Sequence, residues 1–372
     1  MSGSKLRLAV IGVGSWSNRI HIPQILSHPH AEVVALCTRT EEKLRQTGEE
    51  FGVDRLYTDY RQLFAEGGLD AVTISSTHNA HYPIAKAALE AGLHVFCEKP
   101  LGINSLQTKE LAELAKRRGV KTMVAFTNRW VPESRYVKRL LDEGYLGQPF
   151  HYNGCQLAGY MRPGGNWRWR ADPMLGGGGV LYDLGSHNID LAQWFLGPMR
   201  AVCATMKTAV PERSRDGEMV PTPVDDTEGF IAEFANGTQG IFHVSWVCPG
   251  DRVMRHEIAG SDGFLRLNLF HDVWINGLTG CKAGDPDAVK MTVPDDLQGN
   301  IPREVATPEE REVARQAFLK QSPSLVRAFL DSIVKDTDPG PNFADGHATQ
   351  QVMDAILLSH RQHRWVEVGE VS

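Results

Sequence analysis

The sequence predicts an α/β protein of two domains: a doubly wound parallel sheet, then an α/β unit with an open, mostly antiparallel sheet. Three observations carry that expectation. The first third alternates short apolar runs with helical patterns, which is the grammar of parallel βαβ units whose strands are buried on both faces. Beyond about residue 150, strand-like runs follow one another with turn signals and few helices between them, which calls for antiparallel pairing. The length of 372 residues suits two domains of roughly 100–200 residues each. The expected domains are 1–127 and 128–372.

Taken in order, "LRLAVIG" reads as a buried strand and Ser15 to Leu26 as a helix. "EVVALCT" is a second strand, followed by a polar helix from Glu41 to Phe51. "LDAVTIS", "LHVFCE" and "KTMVAF" are further buried strands. The helical patterns between them, "AHYPIAKAALEAG" and "SLQTKELAELAKRRG", run to Gly92 and Gly119, where helices commonly stop. In the second part, "PFHYNGCQLAG", "RAVCATMKTAV", "EGFIAEFANGTQGIFHVSW", "MRHEIAGSDGFLRLNLF" and "DVWING" read as strands. Asn236-Gly237 and Asp262-Gly263 mark turns among them. Helical patterns return from Pro308 to Ala317, Pro323 to Lys335 and Gly346 to His360. Glu212 to Asp225 and Lys282 to Glu304 read as loops rich in proline and aspartate.

Composition narrows the function. The net charge is −6 with no long basic block, which argues against nucleic acid or an anionic membrane surface as partner. "MSGSKLRLAVIGVG" holds no apolar run long enough for a signal peptide or a membrane span. The six cysteines show no C-x-x-C spacing, against a zinc site or a disulfide framework and for free thiols in a reducing compartment. A cytoplasmic, globular protein without a metal is expected.

"GVGSWS", from Gly12 to Ser17, lies after a buried strand and before a helix. Gly12 and Gly14 let backbone amides, Ser15, Trp16 and the helix N-terminus approach a pyrophosphate closely. Ser17 replaces the usual third glycine with a residue still small enough for close helix–strand packing. The bland alternative is a tight βα turn without a ligand. At the end of the second strand, Cys37-Thr38-Arg39-Thr40 offers no acid for a ribose 2′-hydroxyl. Thr38 and Arg39 suit a 2′-phosphate instead, through charge-assisted, forked hydrogen bonds, so NADP is favoured over NAD. Otherwise Arg39 and Thr40 only begin and cap the next helix.

"HVFCEKPLG" places Glu98, Lys99 and Pro100 at the carboxyl end of a strand, where open α/β sheets bind ligands. There Lys99 is a candidate proton donor or acceptor, although such a pair on a loop is often only solvated. "GGGGVLYDLGSHNID", from Gly176 to Asp190, empties glycines into a helix. If it starts near Val180, then Asp183, His187, Asp190 and Trp194 share one face, and Leu181, Leu184, Leu191 and Phe195 share another. Asp183 could then orient the ring of His187 or favour its protonated form. The alternative is an amphipathic helix with a wet polar face. The glycines are expected to let chain, cofactor and substrate meet closely. Asp190 is expected to be a structural or supporting carboxylate. Tyr160, Arg162, Trp167 and Arg168, in the loop before the glycines, are candidate substrate contacts.

Together these segments resemble the Gfo/Idh/MocA oxidoreductases, over nearly the whole chain. "AVIGVGSWSNRIHIP" is similar to the family's first βα turn, and "ISSTHNAHYPIAKAALEAGLHVFCEKPLG" to its E-K-P segment. "NWRWRADPMLGGGGVLYDLGSHNIDLAQWFLG" is similar to its W-R-x-D-P…D-x-G-x-H-x-x-D signature, and "DAILLSHRQHRWVEV" to its closing helix and strand. The resemblance implies a Rossmann dinucleotide-binding domain joined to an α/β domain, with the active site between them. It implies Lys99, Asp183 and His187 as the catalytic set, Lys99 also touching both cofactor and substrate. Thr77, Asn79 and His81 match the family's T-P-N-x-x-H loop in part, His78 standing where proline is usual. With Glu98, Arg129, Trp169 and Arg170 they are candidate cofactor contacts.

The function this implies is hydride transfer between a nicotinamide cofactor and a hydroxyl carbon of a sugar, sugar derivative or cyclitol. Either His187 or Lys99 would take the hydroxyl proton. A homo-oligomer, dimer or tetramer, is expected through the open face of the second sheet, whose apolar side must be covered. Two rivals belong to other classes: a hydrolase or lyase that retains its dinucleotide and oxidises a glycoside transiently, and a non-catalytic dinucleotide-sensing regulator. Intact Lys99, Asp183 and His187 speak against the regulator, which needs no proton-transfer set.

Overall fold

A computed structural model describes residues 4–165, 167–176, 178–250, 253–269, 277–298, 307, 309–310, 313, 324–338 and 340–371. The chain forms two compact units, one of Met1–Thr127 with Gly299–His347, the other of Asn128–Gln298 with Ala348–Ser372. The second domain expected at 128–372 is therefore not continuous. The helix Leu325–Lys335 gives the reason. It buries Val326, Phe329 and Leu330 in the first unit, where Phe329 meets Phe96 edge-on at 5.9 Å. Its N-cap Ser324 also bonds Gln24 at 2.8 Å.

The first unit holds strands β1 (Leu6–Ile11), β2 (Ala31–Cys37), β3 (Leu56–Tyr57), β4 (Ala71–Ile74), β5 (His94–Cys97) and β6 (Thr122–Val124). All are parallel, in the order β3-β2-β1-β4-β5-β6. Residues 71–74 and 122–124 are buried throughout, as strands covered on both faces must be. The helices Glu41–Phe51 and Ser105–Arg118 end on Gly52 and Gly119, whose positive φ lets the chain turn away without a Cβ clash. The strand β3 and the helix Tyr60–Glu66 have no counterpart in the sequence prediction, because a two-residue strand leaves no periodicity to detect.

The second unit is built on a nine-stranded sheet. Its strands are β7 (Pro149–Leu157), β8 (Met199–Lys207), β11 (Thr227–Phe234), β12 (Gln239–Ser245), β13 (Val253–Gly260), β14 (Gly263–Asn268), β15 (Gly277–Lys282), β16 (Val289–Lys290) and β17 (Val366–Glu367). The order is β16-β15-β14-β13-β7-β12-β11-β8-β17. Every pairing is antiparallel except β7 with β12. From β7 the chain runs through a long loop and helix to β8, then steps back in antiparallel pairs through β11 to β12, which arrives beside β7 pointing the same way. One face of the sheet packs Tyr152, Phe230 and Phe242 with Ile189, Leu191, Val352 and Ile356. The other face exposes Ile231 and Ile241.

Two loop expectations need correction. Glu212 to Asp225 is not all loop, because β9 (Glu212–Arg215) and β10 (Glu218–Pro221) pair as a hairpin. Its turn residues, Asp216 and Gly217, both have positive φ, the geometry that a two-residue Asp-Gly turn supplies. Lys282 to Glu304 likewise holds β16 and a short helix, Asp295–Gln298. The expected strand "DVWING" and helix Pro308 to Ala317 lie largely outside the described residues. Among the described residues no helix is long and apolar enough to cross a membrane, and no cluster of His, Cys, Asp or Glu could hold a metal ion.

Candidate active site

In the first unit the strand order reverses between β1 and β4, and the carboxyl ends of such strands are where open α/β sheets take ligands. Gly12 follows β1 with φ 90°, and a Cβ there would stand 2.5 Å from the backbone nitrogen of Ser76. The turn is locked by Gly12 N–H donating to the Cys37 carbonyl at 2.8 Å and by the Ser75 hydroxyl donating to the Gly12 carbonyl at 2.9 Å. Gly14 differs. Beyond its two chain neighbours, no atom lies within 4 Å of the position its Cβ would occupy. Internal packing thus explains the first glycine and not the second, and the open space beside Gly14 fits a dinucleotide brought close to the backbone. The buried Ser17 hydroxyl accepts the Gly14 N–H at 2.8 Å and donates to the Gly14 carbonyl at 2.9 Å. Ser17 therefore braces the turn as well as allowing close packing.

Around this turn stand most of the other expected cofactor contacts. Ser15, Trp16, Arg39 and Asn79 are exposed, and Thr38, Thr77, Glu98 and Lys99 are half-buried. The Trp16 indole N–H donates to Glu98 Oε1 at 2.7 Å, and His21 Nε2 lies 3.0 Å from the same oxygen. Burial of Glu98 disfavours its charge, but the hydrogen bond and charge of His21, with Lys99 and Trp16, outweigh burial and hold its carboxyl below the usual range. The side chain of Thr40 makes no cap hydrogen bond to the helix it precedes, which leaves the bland account of "TRT" as a capping sequence without its bond. His81 is a correction. It is wholly buried, with Nδ1 2.7 Å from the Pro100 carbonyl and Nε2 3.1 Å from that of Ser76. It ties the loops after β4 and β5 together, with both ring nitrogens against backbone carbonyls.

In the second unit the helical segment that carries Asp183 and His187 begins as a π-turn, Leu181–Gly185, with Ser186 N–H reaching back to the Leu181 carbonyl. It continues as a regular helix, Ser186–Leu196. The expected wet or polar face is absent: every residue from Gly179 to Ala192 is buried except His187, which is half-exposed. Asp183 accepts a hydrogen bond from the Tyr160 hydroxyl and pairs with Arg170 Nε at 3.0 Å. Asp190 takes a forked pair from buried Arg129, Nε at 2.9 Å and Nη2 at 2.6 Å, and Arg129 also lies 5.7 Å from the Trp194 ring. Asp190 is thus a supporting carboxylate, and Arg129, a candidate cofactor contact, spends its guanidinium fork on it.

The glycines before this helix serve packing. A Cβ on Gly176 would stand 2.9 Å from the Arg170 backbone, one on Gly178 would stand 2.5 Å from the Tyr182 ring, and Gly179, with φ 60°, would strike Asp225. They let chain approach chain, which is the part of the expected close meeting that internal packing explains. Gly177 lies outside the described residues.

The loop of candidate substrate contacts is anchored from below. Ala158, Met161, Ala171, Val180, Leu184 and Trp246 form a small apolar cluster against which Tyr160 and Trp167 pack. Arg168 lies over the Tyr160 ring at 5.8 Å, Arg170 over Trp169 at 4.6 Å and Arg215 over Trp167 at 5.4 Å. Arg162 and Arg168 are exposed. Buried Arg213, on the unexpected hairpin, donates to the Met161 carbonyl and pairs with Asp226 at 3.5 Å. Asp225 and Glu228, beside the π-turn, were also missed. Asp225 accepts the Leu181 N–H at 3.1 Å on its side chain and the Val180 N–H at 3.2 Å on its carbonyl. Burial pushes its pKa up to about 7. Glu228 is raised well above the usual range by burial, then by the charge of Asp225. The available signal was Asp225-Asp226 directly before an apolar strand, an unusual place for paired acids.

Comparison with known proteins gives matches in both units. Residues 6–126 match an oxidoreductase family with an NAD-binding Rossmann fold, and residues 134–266 match the GFO/IDH/MocA C-terminal domain. An uncharacterized oxidoreductase of Synechocystis sp. is 30% identical over 373 residues, covering 98% of this chain and 97% of that one. Levoglucosan dehydrogenase of Pseudarthrobacter phenanthrenivorans is 26% identical over 354 residues, covering 89% and 88%. A solved structure of levoglucosan dehydrogenase in complex with NADH and L-sorbose aligns with a TM-score of 0.85 at 26% identity, covering 98% of this chain and 99% of that one.

Proposed function

Since this chain belongs to the Gfo/Idh/MocA oxidoreductase family, we propose that it is a sugar or cyclitol dehydrogenase whose catalytic residues are Lys99, Asp183 and His187. When bound, the nicotinamide cofactor supplies the hydride acceptor for a CH–OH carbon. Gly12, Gly14, Ser15 and Trp16 would hold its pyrophosphate end, with Thr77, Asn79 and Glu98 at the neighbouring strand ends. His187 takes the hydroxyl proton as the C–H bond breaks and the C=O bond forms. Lys99 hydrogen-bonds the same oxygen and stabilises its developing negative charge. Asp183, restrained by Tyr160 and Arg170, orients His187 or the substrate. The observation that carries this assignment is that His187 alone, between Gly179 and Ala192, is not buried.

The test is a panel of sugars and cyclitols assayed with NAD and NADP separately, following the reduced nicotinamide. General base catalysis is typically worth about 10²–10⁴-fold, so His187→Ala should lose turnover on that order. Near-normal turnover would overturn the assignment. The pH–rate profiles of His187→Ala and Lys99→Ala then identify which group accepts the proton.

We further propose NADP as the preferred cofactor, supported by the exposure of Arg39 at the end of β2 and by the lack of an acid from Cys37 to Thr40. A hydrogen bond to a charged group is worth about 1.5–3 kcal/mol, so Arg39→Ala should weaken NADP roughly 10–100-fold and NAD far less. Faster turnover or tighter binding with NAD in the unaltered enzyme would overturn this. The cytoplasm fits the six free thiols. A homo-oligomer through the open sheet face fits the exposure of Ile231 and Ile241.

A further inference from the structure

We propose that the cavity beside Tyr160 binds an anionic group, so that the substrates of this enzyme are polyhydroxylated acids carrying a carboxylate or a phosphate. The inference rests on the dehydrogenase reading for its chemistry, and on one feature of the second unit for its selectivity. Among the described residues, a cavity of about 880 Å³ is lined by Tyr160, Arg162, Arg168 and a frame of glycine and proline, with no acidic residue in that lining. That volume lies within the range of about 300–1,000 Å³ common for small-molecule sites.

The arginines are the informative part. Among the described residues neither the Arg162 nor the Arg168 guanidinium has a carboxylate partner; other surface arginines such as Arg19 and Arg39 share that condition, but these two line one cavity together. Partners are not scarce, because the chain carries 45 acidic against 39 basic residues. Yet from Ala158 to Ala171 there are three arginines and no acid. The third, Arg170, is committed to Asp183 at 3.0 Å, which leaves Arg162 and Arg168 in surplus. Two like charges on a concave wall whose described residues include no acid focus a positive potential into it, and a guanidinium matches carboxylate or phosphate in forked geometry.

The cavity is also tied to the reacting end. The Tyr160 ring lines it while the Tyr160 hydroxyl is bonded to Asp183. Tyr160 thereby joins the wall that carries Arg162 and Arg168 to the Asp183 carboxylate.

The test uses the full-length protein and isothermal titration with glucose, gluconate, glucuronate and glucose 6-phosphate, with and without cofactor. At least one acid should bind 10-fold or more tighter than glucose. The preference should fall by 10-fold or more in Arg162→Gln/Arg168→Gln and recover in part in Arg162→Lys/Arg168→Lys. Equal binding of glucose and all three acids, no binding by any acid, or a preference that survives the Gln pair would each overturn the inference. The carboxylate and phosphate arms report which anion the cavity takes. Arginine-dependent acid binding without nicotinamide reduction on any substrate would support the cavity while sinking the dehydrogenase reading, so the two fail separately.

Discussion

Gly12 and Gly14 sit two residues apart and answer to different neighbours. The first is demanded by the protein, since φ is 90° and Ser76 leaves no room for a Cβ. The second meets nothing within 4 Å. Gly12→Ala should therefore lower the melting temperature of the ligand-free protein, through strain of about 1–3 kcal/mol plus the clash. Gly14→Ala should leave stability within about 0.5 kcal/mol and weaken dinucleotide binding. Unaltered cofactor affinity in a folded Gly14→Ala protein would show that the open space is not the cofactor's. Asp190 and His187 divide in a similar way. Removing one partner of a buried ion pair costs about 3–5 kcal/mol, so Asp190→Ala should lower the denaturation midpoint through stranded Arg129. His187→Ala should cost activity and little stability. Spacing alone put these two side chains on one face, and only burial separates their roles.

The helical segment Leu181–Leu196 was legible as an element, and its setting was not. An amphipathic pattern assumes that polar residues meet water, but here β11 and the turn before it bring Glu228 and Asp225 against the polar side. Neither Glu228 oxygen has a hydrogen-bond partner among the described residues. Its pKa is raised by burial, while an unfolded glutamate titrates near about 4.3. Between those values the native state keeps a proton that the unfolded chain has released, so stability falls as pH rises across that interval. Asp225, pushed up to about 7, adds a loss of the same sign between about pH 4 and 7. Glu228→Gln retains the shape without the titration. Its melting temperature should gain on the unaltered protein steadily from pH 5 to pH 8, and a gap independent of pH would refute the buried-acid account. The Asp-Gly hairpin of β9 and β10 was missed for a different reason. Its strands are polar and short, so the turn signal was present without the alternation that normally accompanies it.

At the scale of the molecule, the parallel sheet was readable because burial on both faces forces continuous apolar runs. The second sheet was readable as strands, but its one parallel pairing and the return of the helix Leu325–Lys335 to the first unit depend on contacts between segments far apart in sequence. The open face of that sheet is where the whole-molecule prediction lies. Ile231 opposes Ile241 in the register of β11 and β12, and Ile241 is 59% exposed and Ile231 42%. Next to them on this face, Ile231 opposes Cys203 and Ile241 opposes Asn153. Two strands further, Glu257 bonds Arg266 at 2.7 Å. An apolar centre with a charged margin is the composition of a protein interface, and a central strand cannot be blunted by the devices that protect edges. Ile241→Asp would place a charge at that centre, where desolvating it costs several kcal/mol. The variant should fold, because Ile241 has its side chain in solvent in the monomer, and light scattering after size exclusion should show a smaller species than the unaltered protein. Ile231→Asp should behave alike, and an unchanged mass for both would overturn the proposal that this face forms a subunit contact.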